Sequence, residues 1–371
     1  MISSPRFVLS ALALGLLSAP MLSQAASIER SGQSILPIFE KGNYAEASYV
    51  FVNPDISGEV TTPTAGGPLV QQTGDNFSDE YGYLGAAVKL APSDDSFIAL
   101  IYDEPFGLDN QYGSESILSG AQAELNSQNY SLLVGGKALP NVWVYGGVAY
   151  QHIDANVSLP TAFGGYNLDT ANDAGGLIVG AAYEKPEIAL RLAATYRSEI
   201  ENKGTAIETT ALGSAKTPFS VSTPQSVNLD FQTGVTPSTL LMVNLRWVDW
   251  TAFKVTPQNY SLANGGADLV NFQKDQYSGT IGVGQKLTDN LSASIKAGYD
   301  TGTGDEPSIF GPYEEKYTAI FGLKYSLNDI DLSAGAAYVW LADADITVGP
   351  SQVSYENNDA LAFAAKVGYH F

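Results

Sequence analysis

The stretch of chain that decides the fold is its end, LAFAAKVGYHF, residues 361–371. Apolar side chains occupy every second position from Leu361 to Phe371, and the positions between them are small or polar. A side-chain period of two indicates a β-strand with one apolar and one polar face. This stretch alone also fits an edge strand of a soluble antiparallel sheet. The patterns in the rest of the chain distinguish the two folds.

The same alternation recurs along the chain. It is clear in residues 188–196, 227–235, 241–247, 291–299 and 317–327. Segments of about ten residues are long enough to cross a bilayer at a tilt. Mean hydropathy is near zero, as expected when lipid-facing and lumen-facing residues alternate. The 21 tyrosines suit the aromatic girdles of a membrane barrel.

The connections are of two kinds. Tight hairpin turns are predicted at 91–95, 140–141, 185–187, 236–238, 288–290 and 328–329. Long polar loops are predicted at 61–76, 108–120, 160–173, 202–223 and 257–273. Short turns that alternate with long loops are typical of an up-and-down barrel, with turns facing the periplasm and loops facing outside.

These patterns predict an all-β fold, a closed antiparallel transmembrane β-barrel of about 14 strands that covers residues 44–371. Closure follows from the lipid environment, where an open sheet edge would leave backbone groups unpaired. The terminal aromatic strand is similar to the sorting signal of bacterial outer-membrane barrels. We therefore expect the barrel-assembly machinery to be a partner through this strand.

The N-terminus predicts export. Arg6 precedes an apolar run at 7–17 that is too short to span a membrane, and Ser23-Gln24-Ala25 fits a signal-peptidase site. Residues 1–25 are thus predicted to be a signal peptide, and the mature protein is expected in the bacterial outer membrane. Residues 26–43 form a short segment ahead of the first strand.

Composition excludes several classes of protein. The chain has no cysteine, which argues against a small disulfide scaffold. Its 18 basic and 39 acidic residues give a net charge of −21, which excludes a nucleic-acid binder that neutralises phosphates. Acidic loops suit a surface that meets outer-membrane lipid, lipopolysaccharide and divalent cations, and equally suit a plain solvated coat.

No residues suggest catalysis. The two histidines, His152 and His370, each stand alone on a predicted strand, and no nucleophile grouping or phosphate-binding loop is present in the sequence. We predict no catalytic residue, no metal site and no cofactor, so the chain is not expected to be an enzyme.

Three segments make the chain resemble the FadL/TodX-type outer-membrane transport proteins, which carry long-chain fatty acids and other hydrophobic compounds inward. They are residues 99–108, which end in Pro-Phe-Gly-Leu, residues 245–253, with the pattern Trp-x-Asp-Trp-x-x-Phe, and the closing hairpin at 338–371. The resemblance implies a fourteen-stranded barrel plugged by a longer N-terminal hatch. Only residues 27–43 precede the first predicted strand here, so the hatch is shortened or replaced.

The resemblance also implies passive uptake of hydrophobic small molecules, such as fatty acids and aromatic hydrocarbons, through a kink in the third strand that opens sideways. Pro105 and Gly107 interrupt the matching strand, because proline cannot donate to the ladder and glycine weakens it. We expect these two residues to gate a lateral opening, with Phe106 and Leu108 binding substrate near it. The alternative is a strand that simply ends at its loop.

The N-terminal segment is the second substrate-binding candidate. Ile35, Leu36, Ile38 and Phe39 form a short, proline-interrupted apolar run. Our hypothesis is that the run folds into the lumen and lines an apolar pocket. A periplasmic tail, or an extension of the first strand, is the alternative.

Other side chains are expected to fill or anchor the barrel. Basic residues on the polar parity are Arg191, Arg197, Arg246, Lys296, Lys324 and Lys366. We expect them to pair with lumenal acids such as Glu199, Asp230 and Asp300, the alternative being contact with a substrate carboxylate. The aromatic residues Trp143, Tyr145, Trp247, Trp250 and Phe253 are expected in the girdles, the alternative being stacking on a ligand.

Two other functions remain open from the sequence. A general diffusion porin would have the same alternation and would conduct ions freely. A structural or enzymatic barrel, such as an adhesin or a lipid hydrolase, is the other, although the missing nucleophile grouping makes it the weaker alternative.

Overall fold

A computed structural model describes residues 28–72, 77–113, 118–161, 164–303, 315–348 and 350–371. The predicted signal peptide, residues 1–25, lies outside the described residues. Among the residues described, no helix is long and apolar enough to cross a membrane.

The described chain forms a closed antiparallel barrel of 14 strands, which confirms the predicted fold class. The strands are β1 Tyr44–Asp55, β2 Tyr81–Ser93, β3 Ser96–Asp103, β4 Gln122–Leu139, β5 Val142–Leu159, β6 Tyr166–Lys185, β7 Leu190–Arg197, β8 Ser226–Thr236, β9 Thr239–Val248, β10 Gln276–Lys286, β11 Leu291–Asp300, β12 Lys316–Leu327, β13 Ile330–Leu341 and β14 Asp359–His370. The barrel closes where β1 pairs with β14, from Tyr44↔His370 to Asp55↔Asp359.

The side chains of β14 are buried and exposed in alternation, as the sequence pattern predicts. Phe363 and Tyr369 are about half exposed on the outer face, at 52% and 49%, whereas Ala362 and Lys366 on the inner face are buried. Apolar side chains therefore face outward and small or polar ones face inward. This arrangement inverts that of a soluble barrel, whose apolar face forms the core.

The two ends of the barrel differ. The turn end carries tight hairpins, in which Asn141 and Asn328 have positive φ angles of 66° and 53°; asparagine tolerates this left-handed conformation. The loop end carries the long connections, as predicted. Two of these are more regular than expected. β6 begins at Tyr166, inside the predicted loop 160–173, and residues 202–223 fall in a hairpin of strands Ile200–Thr210 and Gly213–Thr223.

Short elements at both ends of the barrel complete the fold. One small sheet joins strands Glu59–Thr62, Leu69–Gln72, Ala344–Val348 and Ser351–Tyr355, and another joins Lys254–Val255 and Val270–Asn271. Strand Gly107–Gln111 continues the wall after β3. Helical turns occur at Leu36–Phe39, Pro186–Ile188, Trp250–Ala252 and Gln258–Ala263.

Candidate functional site

Residues 28–43, the lumenal segment, lie inside the barrel. Ile35 and Ile38 are 1% and 2% exposed and belong to one buried cluster with the inward-facing Leu133 and Tyr145. Phe39 packs edge-on to Tyr145 at 6.0 Å, and Leu36 is half-buried. The predicted apolar run thus packs against the barrel wall near the turn end.

A buried ion pair fixes the other half of the lumenal segment. The Glu29 carboxylate accepts a hydrogen bond from the Arg246 guanidinium of β9 at 2.5 Å, and both side chains are at most 3% exposed. Burial raises the pKa of Glu29, and the guanidinium of Arg246 opposes that shift. Arg246 is the main basic partner of Glu29, with a smaller contribution from Lys316, so removing Arg246 would leave the Glu29 carboxylate largely uncompensated.

Three further strands hold the backbone and side chains of the lumenal segment. The Ser31 hydroxyl donates to Asp103 of β3 at 2.9 Å. Arg197 of β7 donates to the carbonyl of Gln33 at 3.0 Å. Asn228 of β8 donates to the carbonyl of Gly32 at 2.8 Å. Together with Arg246, these bonds tie the segment to the inner face of β3, β7, β8 and β9.

Pairing between β2 and the third strand is interrupted. β2 and β3 pair as far as Gly85↔Asp103, where β3 ends. The chain then resumes as Gly107–Gln111, which pairs with β4. The wall closes again where the Asp79 N–H donates to the Asp109 carbonyl at 3.1 Å. Between these borders, residues 80–84 and 104–108 share no strand pairing, and we call this interruption the pairing gap.

The lumenal segment backs the pairing gap from inside. The Arg30 N–H donates to the Pro105 carbonyl, and the Gly107 N–H donates to the Ile28 carbonyl, each at 2.8 Å. These bonds form a short antiparallel bridge centred on Glu29↔Phe106. Pro105 and Gly107 are the two predicted gate residues. The Pro105 carbonyl and the Gly107 N–H are therefore hydrogen-bonded to the lumenal segment and not to β2.

Two side chains lie at the pairing gap. The Glu104 carboxylate accepts from the Leu84 N–H at 3.0 Å, where β3 no longer offers a backbone partner. The Arg30 guanidinium is buried against Tyr81, and a Cβ on Gly107 would overlap it. Glycine at 107 is thus what leaves room for Arg30.

A serine on β4 satisfies the backbone at the interruption. The buried Ser127 hydroxyl accepts from the Phe106 N–H and donates to the Phe106 carbonyl, each at 2.7 Å. The peptide groups that leave the ladder at Phe106 are thereby paired, as buried backbone groups must be. Sequence reasoning missed Ser127, because an isolated serine on a polar face carries no distinguishing signal.

An apolar cavity lies at the loop end, and the space between its lining residues, counted together with open solvent at its mouth, is about 920 Å³. Phe106 and Leu108 line it, whereas Ile35, Leu36, Ile38 and Phe39 do not. Its other lining residues are Ile28, Ala123, Glu124, Leu125, Ile153, Ala155, Val157, Leu168, Thr170, Asn172, Asn202, Phe219, Val221, Thr223, Phe253, Val255, Leu269, Val270 and Phe272. Most of these are aliphatic or aromatic, as in pockets for small hydrophobic ligands.

A second cavity lies at the border of the pairing gap. Ser31 and Asp103 line it from the lumen, and Leu84 and Tyr102, whose parity is that of the outer face, line it as well. The side-chain-free Gly85 lies between them. The wall is therefore thin at this place.

The predicted girdle is wrong for most of its aromatic residues. Trp250 is fully buried, and it packs edge-on to Phe106 at 5.9 Å and to Phe253 at 5.7 Å. Tyr145 is buried in the lumen and hydrogen-bonded to Thr195. Trp143 shares the face of Tyr145. Trp247 has the outward parity, and its indole N–H donates to Asp275 at 2.9 Å.

The basic residues of the polar parity lie inside, as predicted, and several have acidic partners beyond those named in the prediction. Lys324 pairs with Asp331 at 2.9 Å and Lys366 with Glu46 at 3.1 Å. Arg191 donates to Gln232 at 2.9 Å. Arg246 forms an ion pair with Glu29, as described above. Asp230, one of the expected acids, interacts electrostatically with Arg191, Lys296 and Arg246, and Asp300 with Arg246.

The histidines lie apart from both cavities. His152 contacts Asp173 at 2.8 Å, and His370 contacts Asp331 at 3.2 Å. Within the described ranges, no group of three or more histidine, cysteine or acidic side chains is placed to hold a metal ion.

Comparison with known proteins identifies the fold. No family model and no curated protein matches the chain. Among solved structures, a FadL homologue of Pseudomonas aeruginosa superposes with a TM-score of 0.75 at 14% identity, over 91% of this chain and 92% of that one. The toluene transporter TodX of Pseudomonas putida gives 0.62 at 15% identity, over 89% and 90%. The toluene transporter TbuX of Ralstonia pickettii gives 0.59 at 13% identity, over 89% and 90%.

These likenesses cover nearly the whole of each chain. The chain therefore has the fold of the FadL/TodX-type barrels, and the resemblance drawn from residues 99–108, 245–253 and 338–371 is confirmed at the level of fold. At 13–15% identity these likenesses show the fold alone.

Proposed function

We propose that the protein is a bacterial outer-membrane channel for the passive uptake of hydrophobic compounds. The observation that carries the proposal is the apolar cavity at the loop end, whose lining includes Phe106, a residue of the pairing gap. The loop end then faces outside and the turn end faces the periplasm.

Such a channel solves a physical problem. The lipopolysaccharide leaflet excludes apolar solutes, whereas an apolar cavity on the outer side can bind them, since burial of apolar surface is favourable. A bound molecule then needs an exit into hydrocarbon and not into water. We propose that Phe106 and Leu108 bind the substrate and that the pairing gap is the lateral exit, gated by Pro105 and Gly107.

The lumenal segment has a different part in this proposal from the one expected. Ile35, Leu36, Ile38 and Phe39 lie away from the apolar cavity. We propose that they anchor the segment as a plug that blocks the straight path to the periplasm. The plug would direct hydrophobic molecules sideways through the pairing gap.

Uptake and conductance together test the proposal. We expect cells that contain the protein to take up radiolabelled dodecanol faster than cells that lack it. We expect the purified protein to be nearly silent in planar bilayers. Large open-channel currents without faster dodecanol uptake would instead identify a general diffusion porin.

A further inference from the structure

On two of its sides, the apolar cavity is bounded by a loop and by a sheet. Residues 249–275, which connect β9 to β10 at the loop end, form the first side, and we call them the lid loop. They contribute Phe253, Val255, Leu269, Val270 and Phe272 to the lining. The hairpin 200–223 and the start of β6, which pair with each other, form the second side. The distance between the two sides therefore depends on contacts between the lid loop and this sheet.

The base of the lid loop is anchored in the lumen, whereas its tip is exposed. Trp250 is fully buried, and its ring packs edge-on to Phe253 and Phe272 at 5.7 and 5.2 Å. Phe253 and Phe272 also contact each other, at 5.6 Å. At the tip, residues 262–267 are all exposed, and Leu262 is 75% exposed. Apolar packing therefore fixes the base and not the tip.

One carboxylate attaches the tip to the sheet. Glu208 of the hairpin is fully buried, and it accepts hydrogen bonds from the backbone N–H groups of Asn259 and Tyr260 at 2.9 and 3.1 Å. The same carboxylate accepts from the Tyr166 hydroxyl of β6 at 2.9 Å and from the Thr217 hydroxyl of the hairpin at 2.5 Å. Glu208 therefore joins the lid loop to both parts of the sheet.

The attachment of the tip is concentrated at this place. Among the described residues, Glu208 is the only hydrogen-bond partner that residues 256–268 have outside the lid loop. Their other hydrogen bonds stay within the loop. The rings of Tyr166 and Tyr260, with centres 5.1 Å apart, add a contact beside the carboxylate. Breaking the bonds to Glu208 would thus release the tip and leave the base in place.

The position of Glu208 suits a carboxylate and not an amide. All four partners donate to it, and a carboxylate accepts at both oxygens, whereas an amide has one accepting oxygen and one donating nitrogen. Burial opposes ionisation of Glu208, but the hydrogen bonds outweigh it and lower its pKa. The side chain is therefore ionised at neutral pH, and hydrogen bonds to an ionised acceptor are the stronger kind.

The apolar side chains of the lid loop and the hairpin are shielded from solvent. Those that line the cavity and are at most 8% exposed are Phe253, Val255, Phe219 and Val221. Water scarcely reaches these four side chains, and a hydrophobic molecule is larger than water. Passage between the lid loop and the hairpin therefore requires the two to separate.

We infer that the lid loop is a movable lid at the entrance of the apolar cavity and that Glu208 is its latch. When the hydrogen bonds to Glu208 break, the tip moves away from the hairpin on its anchored base, and a hydrophobic molecule enters from outside. Glu208 is a positioning residue, because it acts through the lid loop and is not among the lining residues of the cavity. The inference rests on the proposed function and assigns the place where the substrate enters.

The first test is the rate at which purified protein binds radiolabelled dodecanol. The Ala123→Trp variant, whose added ring fills the cavity, defines non-specific binding. Glu208→Gln is expected to raise the association rate several-fold, because fewer hydrogen bonds have to break before the tip moves. Glu201→Gln, at an exposed position of the same hairpin, is the matched control. A variant whose cavity is merely damaged would bind dodecanol more weakly without binding it faster.

The second test locks the lid. The chain has no cysteine, so in the Tyr166→Cys/Tyr260→Cys variant a bifunctional methanethiosulfonate reagent reacts only with the two introduced thiols. These thiols replace rings whose centres lie 5.1 Å apart. We expect the cross-link to slow dodecanol association at least about tenfold, and its cleavage by a reductant to restore the rate. The comparison is made within one variant, so it decides the question even if Glu208→Gln does not fold.

The outcomes separate the lid from the proposed function. Equal association rates before and after cross-linking would overturn the lid and leave a hydrophobic-compound channel standing. Association in folded Glu208→Gln that is no faster than in wild type would overturn the role of Glu208 as the latch. No saturable dodecanol binding by wild type above the Ala123→Trp background would overturn the proposed function, and the inference with it.

Discussion

The guanidinium carbon of Arg30 lies 4.5 Å from the centre of the Tyr81 ring. Arg30 belongs to the lumenal segment and Tyr81 begins β2, so the contact joins the segment to the wall at the pairing gap. A desolvated cation over an aromatic ring contributes about 2 kcal/mol. A contact of this strength can hold the pairing gap closed and can still be broken by thermal motion.

Replacing Arg30 with alanine should open the pairing gap. If exit through the gap limits transport, Arg30→Ala raises the rate of dodecanol uptake several-fold. The control is Lys137→Ala, which removes a cation–π contact of the same kind, over Trp143 at 5.3 Å, at the turn end. Slower uptake in Arg30→Ala, or an equal change in both variants, would show that Arg30 does not close the exit.

Restoring a regular third strand should have the opposite effect. Alanine at 105 supplies the missing N–H and leaves the glycine at 107 that makes room for Arg30, so Pro105→Ala is expected to reduce uptake several-fold by narrowing the gap. Gly113→Ala is the control, because a Cβ there meets open space. Normal uptake by a correctly folded Pro105→Ala variant would count against a gate.

Ser127 is predicted to stabilise the interruption. Ser127→Ala leaves the Phe106 N–H and carbonyl without their partner and should lower the free energy of unfolding by about 1–3 kcal/mol. Ser127→Thr keeps the hydroxyl and serves as the matched control. Chemical unfolding in detergent measures both. Equal stability of Ser127→Ala and wild type would mean that the backbone at Phe106 finds another partner.

Deleting residues 28–42 should unplug the barrel. The deletion removes Glu29 from Arg246 and the apolar anchor from Tyr145, so single-channel conductance should rise from near silence to open-channel currents. Uptake of dodecanol should fall, since the molecule is no longer directed into the pairing gap. Leu212→Ala, at a fully exposed loop tip, controls for expression. Unchanged uptake and conductance after the deletion would remove the plug from this account.

The barrel wall was predictable because its residues face two different surroundings in strict alternation. That period placed Arg246 and Lys366 inside and Phe363 outside without any knowledge of their partners. It could not predict that Arg246 pairs with Glu29, which is 217 residues away in the chain and lies in a segment without a period.

The failed girdle predictions have local causes. Trp250 follows the end of β9 in a short 3-10 turn, Trp250–Ala252, where strand parity no longer sets side-chain direction, and its ring turns into the lumen. Tyr145 lies on a strand with apolar residues on both faces, so the period of two could not separate inside from outside.

The most direct test of the central claim is the rate of dodecanol uptake when the apolar cavity is filled. Ala123 lines the cavity and is 3% exposed, so Ala123→Trp places an indole in the path, whereas Ala365→Trp adds the same ring to the outer face of β14. The account predicts uptake near the level of cells without the protein for Ala123→Trp and wild-type uptake for Ala365→Trp. Wild-type uptake through a folded Ala123→Trp barrel would contradict it.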